Sequence, residues 1–206
     1  MHTVYIHPDN PQPRLIKQVA DALIQDKLIV YPTDTSYAFG CKIGSKEALA
    51  RLKQIRALDD GHQFTLLCRD LSEIATYATV DNQQFKLLKS MTPAAITFIL
   101  NATKDVPKKL THPKKKTIGI RVPNNPISQA LLEAVNEPIL TSSLILADDD
   151  SILDDPFDIE EKLDNLIDVL VNAGIKTTKS TTIIDMTSDT ATIVRQGAAD
   201  VSQYIS

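Results

Sequence analysis

Cysteine is scarce in this chain, which holds only Cys41 and Cys68. Two cysteines in apolar surroundings, neither in a CxxC pair, read as reduced core residues rather than as a disulfide or metal pair. Long hydrophobic runs are missing too, since none approaches the ~20 residues a membrane-spanning helix needs. The opening MHTVYIHPDN has no basic stretch followed by a long apolar one, so a cytoplasmic protein without membrane contact is expected. No GxxxxGK[ST] loop, no GxGxxG after a strand and no GxSxG elbow occurs, which removes three common catalytic classes. The four histidines, His2, His7, His62 and His112, lack metal-ligand spacing, so no protein-bound metal is expected. His2 and His7 are placed at a mobile terminus. His62 stands out because Asp60-Gly61-His62 precedes a strand. A large excess of either charge is absent as well. The net charge of −4 argues against a dedicated nonspecific nucleic-acid binder, whose affinity comes from many phosphate contacts.

What is present is an ordinary globular composition, 43% hydrophobic and 23% charged. A chain of 206 residues buries roughly 70% of its unfolded surface without a staple, and residues 1–206 are read as one domain. Leu15, Ile16, Val19, Ala20 and Leu23 share one face of a helix over Arg14–Leu23. Further helices are predicted over Lys46–Arg56, Leu71–Tyr77, Asn82–Met91, Pro126–Val135 and Pro156–Leu163, Pro126 suiting a first helical turn. Strands are predicted over Leu28–Tyr31, Phe64–Cys68, Ile96–Leu100, Thr117–Val122, Ile139–Leu144, Leu166–Val171, Thr181–Met186 and Thr192–Arg195. Helices and strands alternate early and strands cluster late. The expected fold is therefore α/β, a twisted mixed β-sheet flanked by helices, with a concave ligand crevice at strand ends.

Five segments carry hydroxyls, an arginine or a tight turn at such ends: YPTDTSYAFGC (31–41), RALDDGHQFTLLC (56–68), TIGIRVP (117–123), LTSSL (140–144) and the stretch from TTIID to IVRQG (181–197). Each is weak alone. Thr33 and Thr35 have a local reading as caps of the turn after Pro32. Arg121 is less bland, because a strand arginine among apolar neighbours must reach solvent or pair with a carboxylate or phosphate. Charge is also uneven. Lys104–Lys116 holds six lysines and one aspartate, while Asp148–Glu161 is acidic. The lysine run reads as a solvated loop, or as a contact for phosphates of RNA.

In this order the segments resemble the YrdC/YciO family over nearly the whole chain, with TPAAITFIL (92–100) matching a further family stretch. The openings YIHPDNPQ and DGHQFTLLCRDLSE resemble its YciO branch. The resemblance implies a threonylcarbamoyl-AMP synthase-like protein. Such synthases convert L-threonine, bicarbonate and ATP, with Mg2+ accompanying the nucleotide, into threonylcarbamoyl-AMP and pyrophosphate for tRNA threonylcarbamoyladenosine modification. It also implies, as the alternative, a non-catalytic binder of tRNA or double-stranded RNA on the same concave basic face, with Lys108, Lys109, Lys114, Lys115 and Lys116 as contacts. A third reading is a partner-binding module with a relic crevice. Matched position by position, Thr35, Arg121 and Thr181 fall in the threonine-binding set. Arg56, His62, Thr117, Ser142 and Arg195 fall where relatives hold ATP.

Two departures accompany the match. The synthases carry KxR and SxN motifs, where this chain has Arg56-Ala57-Leu58 and Ser142-Ser143-Leu144. Shifting the first by two residues reads Gln54-Ile55-Arg56, which also lacks the lysine. A hydrogen bond to a charged group contributes roughly 1.5–3 kcal/mol, and a donor aimed at transition-state charge about 10²–10³ in rate. Leucine at both positions implies a slow synthase or one with an altered substrate.

Overall fold

The computed structural model describes residues 1–59, 61–147, 149–177 and 179–205. Asp60 and Asp148, each part of a stretch singled out above, lie outside these. In chain order the elements are β1 (His2–Tyr5), α1 (Pro13–Ile24), β2 (Ile29–Pro32), β3 (Tyr37–Lys42), α2 (Lys46–Arg56), β4 (Thr65–Leu67), α3 (Leu71–Tyr77), β5 (Ala78–Thr79), α4 (Asn82–Met91) and β6 (Ile96–Ala102). They continue with β7 (Thr117–Arg121), α5 (Pro126–Val135), β8 (Ile139–Ser143), β9 (Ile145–Leu146), β10 (Asp149–Ile152), α6 (Pro156–Leu163), β11 (Val169–Asn172), β12 (Thr182–Asp185) and β13 (Thr192–Arg195).

Local chemistry explains where the helices begin. Ser45 accepts from the Ala48 N–H, Asp70 from Ser72 and Glu73, and Asp155 from Phe157. Asp81 and Gln84 form a reciprocal capping box at the start of α4. Proline opens α1, α5 and α6, where its missing N–H is harmless.

Ten strands lie in the order β1-β11-β2-β3-β8-β4-β7-β6-β12-β13, with β5 added beside β6, and β9 and β10 form a separate hairpin. Pairing is mixed: β11 is parallel to β1 and β2, β7 is parallel to β4 and antiparallel to β6, and β8 is antiparallel to β3 and β4. The sheet buries both faces. Val4, Ile29, Tyr31, Ile139 and Val171 pack with Ile16, Val19 and Leu23 of α1 and Ile127 and Leu131 of α5. Val30, Phe39, Leu66, Phe98, Ile118 and Ile120 pack with residues of α2, α3, α4 and α6 on the other side. Cys41 and Cys68 are buried free thiols in that second core.

The strands β1, β3, β5, β9 and β10 were not predicted from the sequence. His2, assigned to a mobile terminus, opens β1, whose residues pair in parallel register with Val169–Asn172. His7 accepts from the Asp9 and Asn10 N–H groups at 3.2 Å each. The Tyr37–Lys42 segment, for which no strand is predicted, is the fully paired strand β3. Its glycine is required by packing: a Cβ on Gly40 would lie 2.7 Å from the Tyr31 ring.

Candidate functional site

The β2–β3 turn is the first wall of the site. The Thr33 N–H donates to the Ser36 carbonyl at 2.9 Å, and the Thr33 hydroxyl receives the Thr35 and Ser36 N–H groups. The local capping reading of Thr33 is thus correct, and it leaves Thr35 and Ser36 facing inward. The start of α5 holds the turn from behind: Ser128 donates to the Pro32 carbonyl at 2.8 Å and Asn125 to the Thr33 carbonyl at 3.2 Å.

Across from this turn, Arg121 projects from the end of β7. It is 93% buried, being 7% exposed. Its Nη2 pairs with the Asp34 carboxylate and contacts the Thr35 and Thr33 hydroxyls at 3.1 and 3.4 Å. Its Nε is buried and has no hydrogen-bond partner among the described residues. Thr97, from the start of β6, hydrogen-bonds Thr181 at 2.9 Å, just ahead of β12. Tyr37 and Ala38 of β3, Thr65 of β4, Thr141, Ser142 and Ser143 of β8, Ile152 of β10, and the Lys179–Thr181 approach to β12 complete the wall. Segments far apart in sequence therefore meet because the paired registers put Ala38, Thr65, Thr97, Arg121, Thr141 and Ser143 on one face of the sheet, bordered by the β2–β3 turn and the Lys179–Thr181 segment.

Of the predicted residues, Thr35, Arg121, Ser142 and Thr181 line this hollow together. Arg56 and Arg195 stand one bond behind it. Arg56 contacts the Ser142 hydroxyl and donates to the Ile145 carbonyl at 3.2 Å. Arg195 donates from Nε and Nη2 to the Thr181 carbonyl at 3.2 and 3.0 Å. Thr117 and His62 are not in the wall. Thr117 opens β7, at the opposite end from Arg121, and its hydroxyl donates to Gln63 at 3.0 Å. His62 packs edge-on to Phe64 at 4.9 Å. Burial first, and then the nearby Arg56 charge, lower its pKa from the usual imidazole value, Asp59 opposing them.

The lysine loop does not share this face. Val106 and Leu110 anchor it in the core, and Lys108, Lys109, Lys114, Lys115 and Lys116 are exposed before the start of β7. None of the five lines the hollow. Thr33, Asp34, Ser36, Thr65, Thr97 and Lys179 were missed as site residues. Their sequence signal, hydroxyls or a charge beside strand ends, is common in loops that bind nothing.

The hollow has a volume of about 50 Å³, room for one or two waters and well below the roughly 300–1,000 Å³ of small-molecule sites. Thus the crevice expected to enclose two ligands is narrow in this conformation. A wider cleft of about 810 Å³ lies elsewhere, between α2, β9 and the end of α6, lined by Arg51, Gln54, Leu146 and Lys162. Leu144 is fully buried, and Leu58 packs against the same core cluster. Leu144 is therefore a core residue and Leu58 a partly buried one packed against that core, neither a failed ligand contact on an open wall.

A family model described as "Telomere recombination", for Sua5, YciO and YrdC proteins, matches residues 21–197. The chain is 51% identical over 201 residues to the uncharacterized protein YciO of Escherichia coli strain K12, covering 98% of each. The crystal structure of E. coli YciO superposes with a TM-score of 0.94 over the whole of both chains. A putative threonylcarbamoyl-AMP synthase of Methanocaldococcus jannaschii is 24% identical over 97% of this chain and 94% of its own. P. abyssi Sua5 complexed with L-threonine shares the fold, with a TM-score of 0.89 at 19% identity, over 98% of this chain and 59% of that one. The matched model takes in the β2–β3 turn, Arg121 and the Thr181–Gly197 segment, and so all the walls of the hollow: the chain belongs to the Sua5/YciO/YrdC family.

Proposed function

We propose that this chain binds a small amino acid of the threonine class in the Arg121 hollow, beside a nucleotide, as a threonylcarbamoyl-AMP synthase-type protein with weak or altered turnover. The observation that carries the reading is Arg121 itself: a 93% buried guanidinium with an unpartnered Nε, in a wall built almost wholly of hydroxyls. An unpaired buried donor of this kind costs roughly 1–3 kcal/mol, more for a charged group, and such orphans call for a functional or ligand explanation. A carboxylate is the partner whose geometry a guanidinium matches best.

The second ligand follows from charge. Asp34 balances Arg121, whereas Arg56, Arg195 and Lys179 stand around the rim, and His62 is biased toward its neutral form. Among the described residues none of these three cations has a carboxylate partner, which suits a polyphosphate better than a neutral molecule. Relatives bearing the name threonylcarbamoyl-AMP synthase give the chemistry its class. Mg2+ enters this scheme with ATP, neutralising its phosphates.

Weak turnover is inferred from the nucleotide end. Arg56 and Ser142, both assigned to ATP, satisfy each other, and Leu58 and Leu144 contribute to the core. Opening the site must break the Arg56–Ser142 contact and widen the hollow. Calorimetric titration with L-threonine, ATP and both together tests the reading. Threonine should bind more tightly with ATP present, and pyrophosphate release should fall on the order of 10³-fold below that of a synthase with intact KxR and SxN motifs. No heat from either ligand, alone or combined, would refute the proposal, and full synthase turnover would refute its second half.

A further inference from the structure

We infer that Asp34 is a positioning residue, which sets the Arg121 guanidinium for a ligand carboxylate without touching the ligand. The inference rests on the reading of Arg121 given above. Asp34 is nearly as buried as its partner, their side chains being 9% and 8% exposed, but it lies behind the wall of the hollow rather than in it.

Both of its oxygens are engaged. One receives Nη2 of Arg121, and the other receives the Asn124 backbone N–H at 3.0 Å. That N–H sits three residues beyond Arg121, in the loop after β7. The carboxylate therefore ties the guanidinium, the β2–β3 turn and the β7–α5 loop into one unit. The hydroxyls of Thr33 and Thr35 lie on the same nitrogen.

The arrangement is lopsided. Three oxygen-bearing side chains converge on Nη2, while among the described residues nothing engages Nη1 or Nε. An arginine serving only to hold the fold would divide its five donors among protein acceptors. Here one nitrogen is clamped and the rest of the fork is left for another acceptor. Asp34 also supplies the countercharge that compensates a buried guanidinium between binding events. Fixing the fork in advance removes an ordering cost from the binding step.

The test compares L-threonine with L-threoninamide, which lacks the carboxylate, by calorimetry on the full chain with ATP and Mg2+ present. The wild-type protein should prefer threonine at least tenfold. In Asp34→Asn that preference should shrink below threefold, with ATP affinity held within twofold. A merely structural lesion would weaken threonine, threoninamide and ATP alike, and that result overturns the inference, as does an unchanged preference. Should thermal unfolding show Asp34→Asn to be unfolded, Asp34→Glu replaces it. That variant keeps the charge but displaces the carboxylate, and its preference should fall at least fivefold; wild-type preference there overturns the inference. Absence of threonine binding in the wild-type protein is a different outcome, because it removes the functional reading itself.

Discussion

At the scale of single residues, Arg121, His62 and Leu144 illustrate three kinds of legibility. Arg121 was visible because a charge inside TIGIRV conflicts with its apolar neighbours, and the structure places it in a hydroxyl-lined hollow. Arg121→Leu should lower threonine affinity at least tenfold, about the loss of one charge-assisted hydrogen bond, with calorimetry as the measurement. Asp34 was not visible, since an aspartate in a turn reads as a local cap, whereas its partners stand 87 and 90 residues away. His62 has its pKa depressed by burial and by Arg56. Its neutral form is favoured in the fold, so its contribution to stability is complete above the unfolded value near 6.5 and is lost as pH falls through the lower folded value. Proton NMR titration of the ring should place its midpoint below that of an unstructured histidine; a midpoint at or above 6.5 contradicts the assignment. Leu144, read from the sequence as a lost asparagine, is a core side chain with no exposure. Leu144→Asn should not restore a synthase motif. It should destabilise the protein by about 2–5 kcal/mol, as polar or truncating substitutions in cores do, measured by urea unfolding.

At the scale of elements, the helices were readable to within a residue or two because their caps and apolar periods are local. Strands with a second, packing-derived constraint were harder. YAFGCK carries no strand prediction, and its glycine is set by packing, since the Tyr31 ring occupies the space a side chain would need. A similar constraint couples β13 to the site. A Cβ on Gly197 would lie 2.4 Å from the carbonyl carbon and oxygen of Thr181, and the Gly197 N–H donates to the Thr182 hydroxyl at 3.0 Å. Backbone cannot yield as a flexible side chain can. Gly197→Ala should therefore cost about 1–3 kcal/mol and weaken threonine binding together with stability, which parallel unfolding and calorimetric measurements would register. Asn125 joins two elements, capping α5 at Ser128 while holding the Thr33 carbonyl. Loss of a cap alone costs about 0.5–2 kcal/mol, so Asn125→Ala should lie at or above the upper end of that range in thermal unfolding.

At the scale of the whole molecule, the sheet's two buried faces govern its response to pH. Burial pushes Tyr31 up to about 12, although its hydrogen bond to Thr141 opposes the shift, and burial likewise pushes the Cys41 thiol up to about 12. Groups with raised folded values stabilise fully below their unfolded values, near 10 and 9, and lose that contribution as pH approaches 12. Thermal midpoints should accordingly hold steady to about pH 9 and fall steeply above it, with Tyr31→Phe blunting part of the fall. What the sequence by itself determined is what can be computed locally: an α/β chain, its helices, most of its strands, two buried thiols, and Arg121 as a misfit that needs a partner. Which turns face one another was decided only in three dimensions. The hollow joins residues 33, 35–38, 65, 97, 121, 141–143, 152 and 179–181, and it exists because strands distant in sequence must take one register to bury both faces of a single sheet. That shared register brings Asp34 to Arg121, and the same packing turns Leu144 into the core and leaves the lysine loop at the far end of β7, outcomes that no local pattern encodes.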